Sequence, residues 1–264
     1  MYTLNVHLEA TVIVPKKSQS VCDRQFLQKI NDTEHVYVLS AHLDDAVLSM
    51  GSLITLLAKK KIDISVITCF TEGFPGTSKT IETLLRNAGF SDSQTYFSAR
   101  RDEDTVALKT IGASSIFHLG YVDSAWRRSK GNALYPDSQL TTMLPQDEIL
   151  LKELRNKLKK YIDVNKNTLI FAPLARGKHV DHQIVRNIAC SLFNNAIFYQ
   201  DFPYSALYEN ENTFIEYNAL KGVVWKGDYR KKATAILQYE TQRYSLFYKG
   251  AMRLPYEKYY LKTY

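Results

Sequence analysis

The chain has 264 residues, 45% of them hydrophobic, and a net charge of +7. This length and composition provide a sizeable core in one large domain or two small ones. The positive residues are scattered over predicted helix faces without a basic tail or a nucleic-acid motif, so solvated surfaces are favoured over DNA or RNA binding. No run approaches the roughly 20 apolar residues of a membrane helix.

The cysteines and the first residues indicate the compartment. The three cysteines, Cys22, Cys69 and Cys190, form no CxxC pair, which is typical of a reducing environment. The N-terminus lacks a basic start followed by an apolar stretch, so no signal peptide is predicted. We therefore expect a soluble, cytoplasmic protein.

Hydrophobic periodicity predicts strands that alternate with helices. Partial alternation over 3–14 is typical of an edge strand, and residues 35–41 are predicted to form a buried strand. The remaining strands are predicted over 62–70, 115–119, 168–172 and 196–199, and the helices over 46–60, 94–111, 146–163, 180–193 and 228–247. The segments 71–76 and 120–145 are predicted loops, and Asp228 is expected to cap the last helix.

This alternation predicts an α/β fold with a mostly parallel sheet flanked by helices. No repeat, low-complexity segment or clear linker interrupts the sequence, so we expect a single domain over 1–264. Its core would span about 35–200, followed by a C-terminal helix and an aromatic tail within 201–264. In such sheets, ligands bind beyond the carboxyl ends of the strands.

Two clusters of histidines and carboxylates follow predicted strand ends. They are His42, Asp44 and Asp45 after the strand at 35–41, and His179, Asp181 and His182 after the strand at 168–172. A catalytic zinc ion binds imidazole and carboxylate ligands and keeps one position open for water. His42 and Asp45, three apart on a strand-to-helix turn, can face one point, and His182 can complete the set.

The other members of the two clusters are predicted to handle protons and charge. Asp44 would take a proton from the attacking water. His179, positively charged, would stabilise a developing oxyanion or donate a proton, and Asp181 would hold His179 in the required tautomer. The alternative is that Asp44 and Asp45 only cap the following helix and that the histidines are structural.

These residues resemble the PIG-L/LmbE-like deacetylases, the family of N-acetylglucosaminyl-phosphatidylinositol de-N-acetylase. The first motif of that family, AHPDDE, is similar to residues 41–46, and its His-x-x-His motif is similar to residues 179–182. Residues 71–73 resemble its Thr-x-Gly loop, 100–103 its Arg-x-x-Glu helix, and 119–123 the segment after the next strand. The resemblance spans about residues 35–200, which is most of the chain.

The resemblance implies a Rossmann-like fold and zinc-dependent removal of an acyl group, usually acetyl, from an amino sugar. By motif match, His42, Asp45 and His182 would bind zinc, although Fe2+ suits the same ligands. Asp44 would be the general base and His179 the acid or the oxyanion stabiliser. The expected partner is therefore a small N-acylated amino sugar or glycoconjugate.

Two positions depart from the first motif. Leu43 replaces its proline, which mainly affects the stiffness of the turn. Ala46 replaces its glutamate, which removes a carboxylate beside the ligands but neither a ligand nor the presumed base. We therefore expect an active enzyme. Two other functions stay open: an amide hydrolase acting on a non-sugar acyl amine, and a non-catalytic metal-binding or sugar-binding relative, which Ala46 alone suggests.

The predicted substrate-binding residues come from the matched helix and from the loop after the strand at 115–119. They are Arg100, Glu103, Asp123, Trp126 and Arg127. Arg100 and Glu103 would meet the substrate or form an i,i+3 surface ion pair. Trp126 would stack on a sugar ring or pack against the core. A further candidate contact is the segment 201–204.

Overall fold

The computed structural model describes residues 11–13, 24–76, 78–135, 141–207, 212–247 and 250–262. Within these ranges the α-helices are α1 (Arg24–Asn31), α2 (Asp45–Lys59), α3 (Lys79–Ala88), α4 (Ser93–Ile111), α5 (Asp147–Tyr161), α6 (Val180–Leu192), α7 (Tyr204–Leu207), α8 (Thr213–Tyr217), α9 (Arg230–Ile236) and α10 (Arg243–Leu246). The strands are β1 (Thr11–Ile13), β2 (His35–Ser40), β3 (Asp63–Glu72), β4 (Ser115–Val122), β5 (Arg128–Ser129), β6 (Asn132–Ala133), β7 (Thr168–Pro173), β8 (Ile197–Tyr199), β9 (Leu220–Trp225), β10 (Ala251–Arg253) and β11 (Glu257–Lys262). Short 3₁₀ helices lie at Ser124–Trp126 and Glu240–Gln242. None of the helices in these ranges has the length and apolar character that crossing a membrane requires.

The central sheet, within the described residues, has seven strands in the order β4-β3-β2-β7-β8-β11-β9. Strands β4, β3, β2, β7 and β8 run parallel, whereas β11 is antiparallel to both β8 and β9. The predicted α/β class and mostly parallel sheet are confirmed. The sheet is mixed at one end, so the Rossmann-like arrangement implied by the resemblance is not confirmed.

Helices cover both faces of the sheet, which explains the continuous apolar runs in its inner strands. Val36 and Val38 of β2 point to one face and pack in the cluster that contains Leu53 of α2. Tyr37 and Leu39 point to the other face and pack in the cluster that contains α6 residues. This double burial fixes the register of β2 and therefore the place where its carboxyl end delivers the first histidine.

The C-terminal region differs most from the prediction. Instead of one helix over 228–247, α9, a 3₁₀ turn and α10 follow one another. Asp228 caps no long helix; its carboxylate accepts the backbone N–H of Arg230 and pairs with the exposed Arg230 side chain. The expected aromatic tail instead contains β9 and β11, which extend the sheet and bury Tyr259 and Tyr260.

Smaller differences concern the N-terminal half. Helices α1 and α3 were not predicted, and β3 continues through Glu72 into the predicted loop. Of the edge strand predicted over 3–14, Thr11–Ile13 forms β1, which pairs with β10. The rest of that prediction, like Cys22, lies outside the described residues. Cys69 is buried in β3, as its apolar neighbours predict.

A buried ion pair joins α9 to β11, and its carboxylate also connects β11 to α2. The Lys232 ammonium donates to Glu257 Oε1 at 2.8 Å, and both side chains are 1% exposed. The Glu257 carboxylate also accepts the backbone N–H groups of Ser52 and Leu53 in α2. Gly51 leaves room for the Lys232 side chain beside α2, because a Cβ at this position would lie 2.9 Å from Lys232 Cγ.

Glu257→Ala would leave the Lys232 ammonium buried without its partner. We expect it to lower the free energy of unfolding by about 3–5 kcal/mol, measured by urea denaturation. Glu153→Ala, on the exposed face of α5, is the matched control and should stay within about 0.5 kcal/mol of wild type. Equal stability of Glu257→Ala and wild type would show that this pair does not hold the C-terminal strands.

Candidate metal centre

The residues of both predicted clusters meet at the carboxyl edge of the sheet. His42 follows β2 and His179 follows β7, and these two strands are neighbours. Asp123 follows β4, and Asp201 follows β8, the next strand beyond β7. Parallel strands end at the same edge, so residues far apart in sequence converge there.

Three donor atoms lie at the spacing of a tetrahedral metal site. His42 Nδ1 lies 3.4 Å from Asp45 Oδ2, and His182 Nε2 lies 3.2 Å from the same oxygen and 3.3 Å from His42 Nδ1. Ligands bound to zinc at about 2.0–2.1 Å in a tetrahedron lie about 3.3 Å from one another. The donor set and its spacing therefore fit zinc or a similar divalent ion.

A carboxylate holds the second ring nitrogen of each of these two histidines. His42 Nε2 lies 3.0 Å from Asp181 Oδ2, and His182 Nδ1 lies 2.6 Å from Asp201 Oδ1. A ring N–H donated to the carboxylate leaves the opposite nitrogen with its lone pair facing the centre. Asp201 is fully buried and thus orients His182, whereas the sequence placed it among candidate substrate contacts.

The electrostatics of the centre favour a cation. Burial alone would lower the pKa of His182, but Asp45 and Asp201 overcome this and raise it to about 9. Burial would raise the pKa of Asp45, yet His182 and His42 hold it well below the ordinary value. The carboxylates thus keep positive charge beside them, which a proton or a metal ion can supply.

Asp44 is separate from the three converging donors. Its carboxylate lies 3.4 Å from Arg100 Nη2, and it borders a cavity of about 520 Å³. Burial raises the pKa of Asp44 to about 6, although Arg100 opposes the shift. A carboxyl group with such a pKa exchanges protons readily near neutral pH.

His179 differs from the prediction in both partner and charge. Its Nδ1 has no hydrogen-bond partner among the described residues. Asp181, its expected partner, instead contacts His42, Ser124 and Arg127. Its ring stands edge-on to His42, with centroids 4.8 Å apart. Burial, and then the charges of His42 and His182, hold the pKa of His179 well below its ordinary value. The imidazole is therefore neutral rather than positively charged at neutral pH.

Other donor combinations occur at the same place. Ring nitrogens of His42, His179 and His182 lie within 4.8 Å of one another, as do donor atoms of His42, Asp123 and Asp181. His42 belongs to both groups. These overlapping sets show how densely potential ligands are packed around this histidine.

Three of the five predicted substrate contacts border the cavity: Arg100, Asp123 and Trp126. Trp126 is 2% exposed, donates to Ser93 Oγ at 2.6 Å and stacks on Tyr96. It therefore packs mainly against the core, as the alternative interpretation had it.

The other two predicted contacts have structural partners instead. Glu103 accepts the backbone N–H and the hydroxyl of Thr241, at 2.8 and 2.6 Å. It does not line the cavity, and Arg100 pairs with Asp44 instead. Arg127 is buried between Asp181 and Asp147. Sequence spacing could not reveal these partners, because Thr241 and Asp147 lie far along the chain.

The two residues that depart from the first motif, Leu43 and Ala46, both pack in apolar surroundings. Leu43 is fully buried in a cluster with Phe97 and Trp126. Ala46, near the start of α2, is 2% exposed and belongs to the core cluster that also contains Val36, Val38 and Leu53. Neither residue displaces His42 or Asp45, which keep the donor spacing described above.

The comparison with protein families agrees with this arrangement. The family model of PIG-L, GlcNAc-PI de-N-acetylase, matches residues 37–193. This chain belongs to the PIG-L family. The matched segment contains both His/Asp clusters and the helix of Arg100. Comparison with curated proteins gives no match.

Solved structures of several deacetylases share the fold. The zinc-inhibited form of teicoplanin deacetylase Orf2 has a TM-score of 0.70 and 21% identity, over 86% of this chain and 97% of that one. A deacetylase–teicoplanin complex has a TM-score of 0.72 and 20% identity, over 86% and 97%. The deacetylase of the antimicrobial A40926 pseudoaglycone, Dbv21, has a TM-score of 0.65 and 21% identity, over 86% and 96%.

Removing one converging donor should abolish metal binding. Wild type purified after loading with zinc should hold about one ion per chain, and His182→Ala should hold almost none, as measured by elemental analysis. His35→Ala, which removes a histidine at the opposite end of β2, should keep the wild-type content. Normal metal content in His182→Ala would remove His182 from the ligand set.

Proposed function

We propose that this PIG-L family member is a divalent-metal-dependent hydrolase that removes an N-acyl group, usually acetyl, from an amino sugar or sugar conjugate. The observation that carries the proposal is the convergence of His42, Asp45 and His182 at metal-ligand spacing. Asp44 stands beside them at the wall of a cavity. Zinc is the ion that we favour, and Fe2+ remains compatible with the ligands.

A divalent cation held by His42, Asp45 and His182 would activate water and polarise the acyl carbonyl. Asp44 is the general base, because it is close to the centre yet outside the converging donors. It accepts a proton from the water whose oxygen attacks the acyl carbon. The same carboxyl group then gives that proton to the nitrogen as the C–N bond breaks, which yields a carboxylic acid and a free amine, and the acid then loses its own proton to solvent.

His179 has the complementary role of stabilising the developing oxyanion. A neutral imidazole can donate one N–H without carrying a charge. The low pKa of His179 favours this hydrogen-bonding role over that of a proton donor. Arg100 supports the same reaction indirectly, because its guanidinium lies beside Asp44.

The cavity walls support a substrate with both polar and apolar parts. Arg100 and Asp123 lie near the centre and suit the hydroxyls of a sugar. Leu84, Leu207 and Leu246 line the cavity as well and suit an apolar substituent. Relatives of the same fold are named as deacetylases of teicoplanin and of the A40926 pseudoaglycone, which supports an acylated conjugate as substrate.

The same leucines also favour the second candidate, an acyl amine without a sugar. A panel of N-acetylated amino sugars, their alkyl glycosides and N-acetyl alkylamines would separate the two. Amine release from the sugars, with little from the alkylamines, supports the proposal. The reverse preference would favour the non-sugar substrate, and metal binding without release from any of them would favour the non-catalytic relative.

Asp44→Asn should keep the metal and lose turnover. We expect kcat to fall about 10²- to 10⁴-fold, the usual contribution of a positioned base, measured by amine release from an N-acetylated amino sugar. Asp63→Asn, at the distant start of β3, is the matched control and should keep the wild-type rate. Undiminished turnover in Asp44→Asn, at normal metal content, would rule out this base.

A further inference from the structure

We infer that Arg127 is a positioning residue of the metal centre, which holds Asp181 in place against His42 and is itself held by Asp147. The inference rests on the proposed metal site but assigns a role to residues outside the converging donors. The sequence placed Arg127 among candidate substrate contacts only because it lies in the loop after the strand predicted at 115–119, and nothing in the motifs assigns Asp147.

The guanidinium of Arg127 contacts two carboxylates, a carbonyl and an aromatic ring. One terminal nitrogen pairs with Asp181, and the other donates to Asp147 Oδ1 at 2.9 Å. The Nε donates to the carbonyl of Val122 at 3.1 Å, and the flat face lies 4.8 Å from the Phe70 ring centroid. Arg127 does not line the cavity beside the metal centre, but a guanidinium so enclosed can fix the groups that it contacts.

Asp181 is the group through which Arg127 reaches the centre. Its side chain is fully buried, and its Oδ2 contacts both the His42 Nε2 and the backbone N–H of Ser124 at 3.0 Å. Arg127 takes the other oxygen, which fixes the plane of the carboxylate and balances its charge. With Asp181 so fixed, His42 donates from Nε2 and presents its Nδ1 lone pair to the centre.

Asp147 holds Arg127 from the opposite side. It is the first residue of α5 and is 1% exposed. Its Oδ2 accepts the Tyr135 hydroxyl and the backbone N–H of Leu144, so the carboxylate cannot turn away from Arg127. The start of α5 is thus connected to His42 through an unbroken series of charged groups.

Arginine suits this position for a geometric reason. Its planar fork offers separate N–H groups to two carboxylates and a carbonyl at once, whereas the lysine ammonium is a single point of charge. Arg127→Lys therefore keeps the charge but loses the simultaneous hold on Asp181 and Asp147. We expect a smaller loss of zinc affinity in this variant than in Arg127→Met.

The first test measures zinc affinity by competition with a chromogenic chelator. Arg127→Met and Asp181→Asn should each bind zinc about 10- to 100-fold more weakly than wild type. The double variant should be no weaker than the weaker single one, because both changes disable the same support of His42. Losses that multiply in the double variant would overturn the proposal. Arg155→Met, on an exposed face of α5, should bind like wild type.

The second test needs no metal. Nitrogen NMR of labelled histidines at alkaline pH reports which ring nitrogen carries the proton, and His42→Gln identifies the His42 signals. Metal-free wild type should show the proton on Nε2, and Arg127→Met should lose this preference. An unchanged His42 tautomer in Arg127→Met would overturn the proposal. If Arg127→Met does not fold, Arg127→Lys and Asp147→Asn undergo the same measurement.

The two tests separate this inference from the proposed function. If wild type binds no zinc but the His42 tautomer depends on Arg127, the metal-dependent function fails and the positioning role stands. If wild type binds zinc and neither affinity nor tautomer responds to Arg127, the positioning role fails and the metal-dependent function stands.

Discussion

Buried negative charge at the carboxyl edge of the sheet is the constraint on which the rest of this structure depends. Asp45, Asp181 and Asp201 are 3%, 0% and 0% exposed. Carboxylates in such places persist only beside positive charge and hydrogen-bond donors. His42, His182 and Arg127 supply these partners from three separate parts of the chain, and together they leave a position suited to a cation.

At the start of α6, two neighbouring residues contact different parts of the metal centre. Asp181 and His182 are adjacent in the chain, but they lie in the first turn of α6, where successive side chains point about 100° apart. Asp181 therefore turns to His42 and Arg127, while His182 turns to Asp45 and Asp201. For the same reason Asp181 does not meet His179, since residues two apart at a helix start do not face each other.

The two departures from the family motif are absorbed by packing rather than by the donor set. Leu43 packs in an apolar cluster with Trp126, and Ala46 of α2 packs in the hydrophobic core. Both side chains are buried without polar atoms, so neither demands a compensating partner. His42 and Asp45, at the same turn, keep the spacing of metal ligands.

The amino-acid sequence was sufficient to predict the α/β class, most of the elements between 35 and 200 and the six residues of the two clusters. Local periodicity carries that information, and parallel strands bring their carboxyl ends to one edge whatever lies between them. Long-range packing fixes the remaining features: Asp201 pairs with His182, Glu103 bonds Thr241, Arg127 is enclosed, and the aromatic C-terminal segment forms β9 and β11. These partners are 19 to 138 residues apart where hydrogen bonds join them. The packing of whole helices and strands brings such partners together, and the spacing of residues along the chain does not reveal which of them will meet.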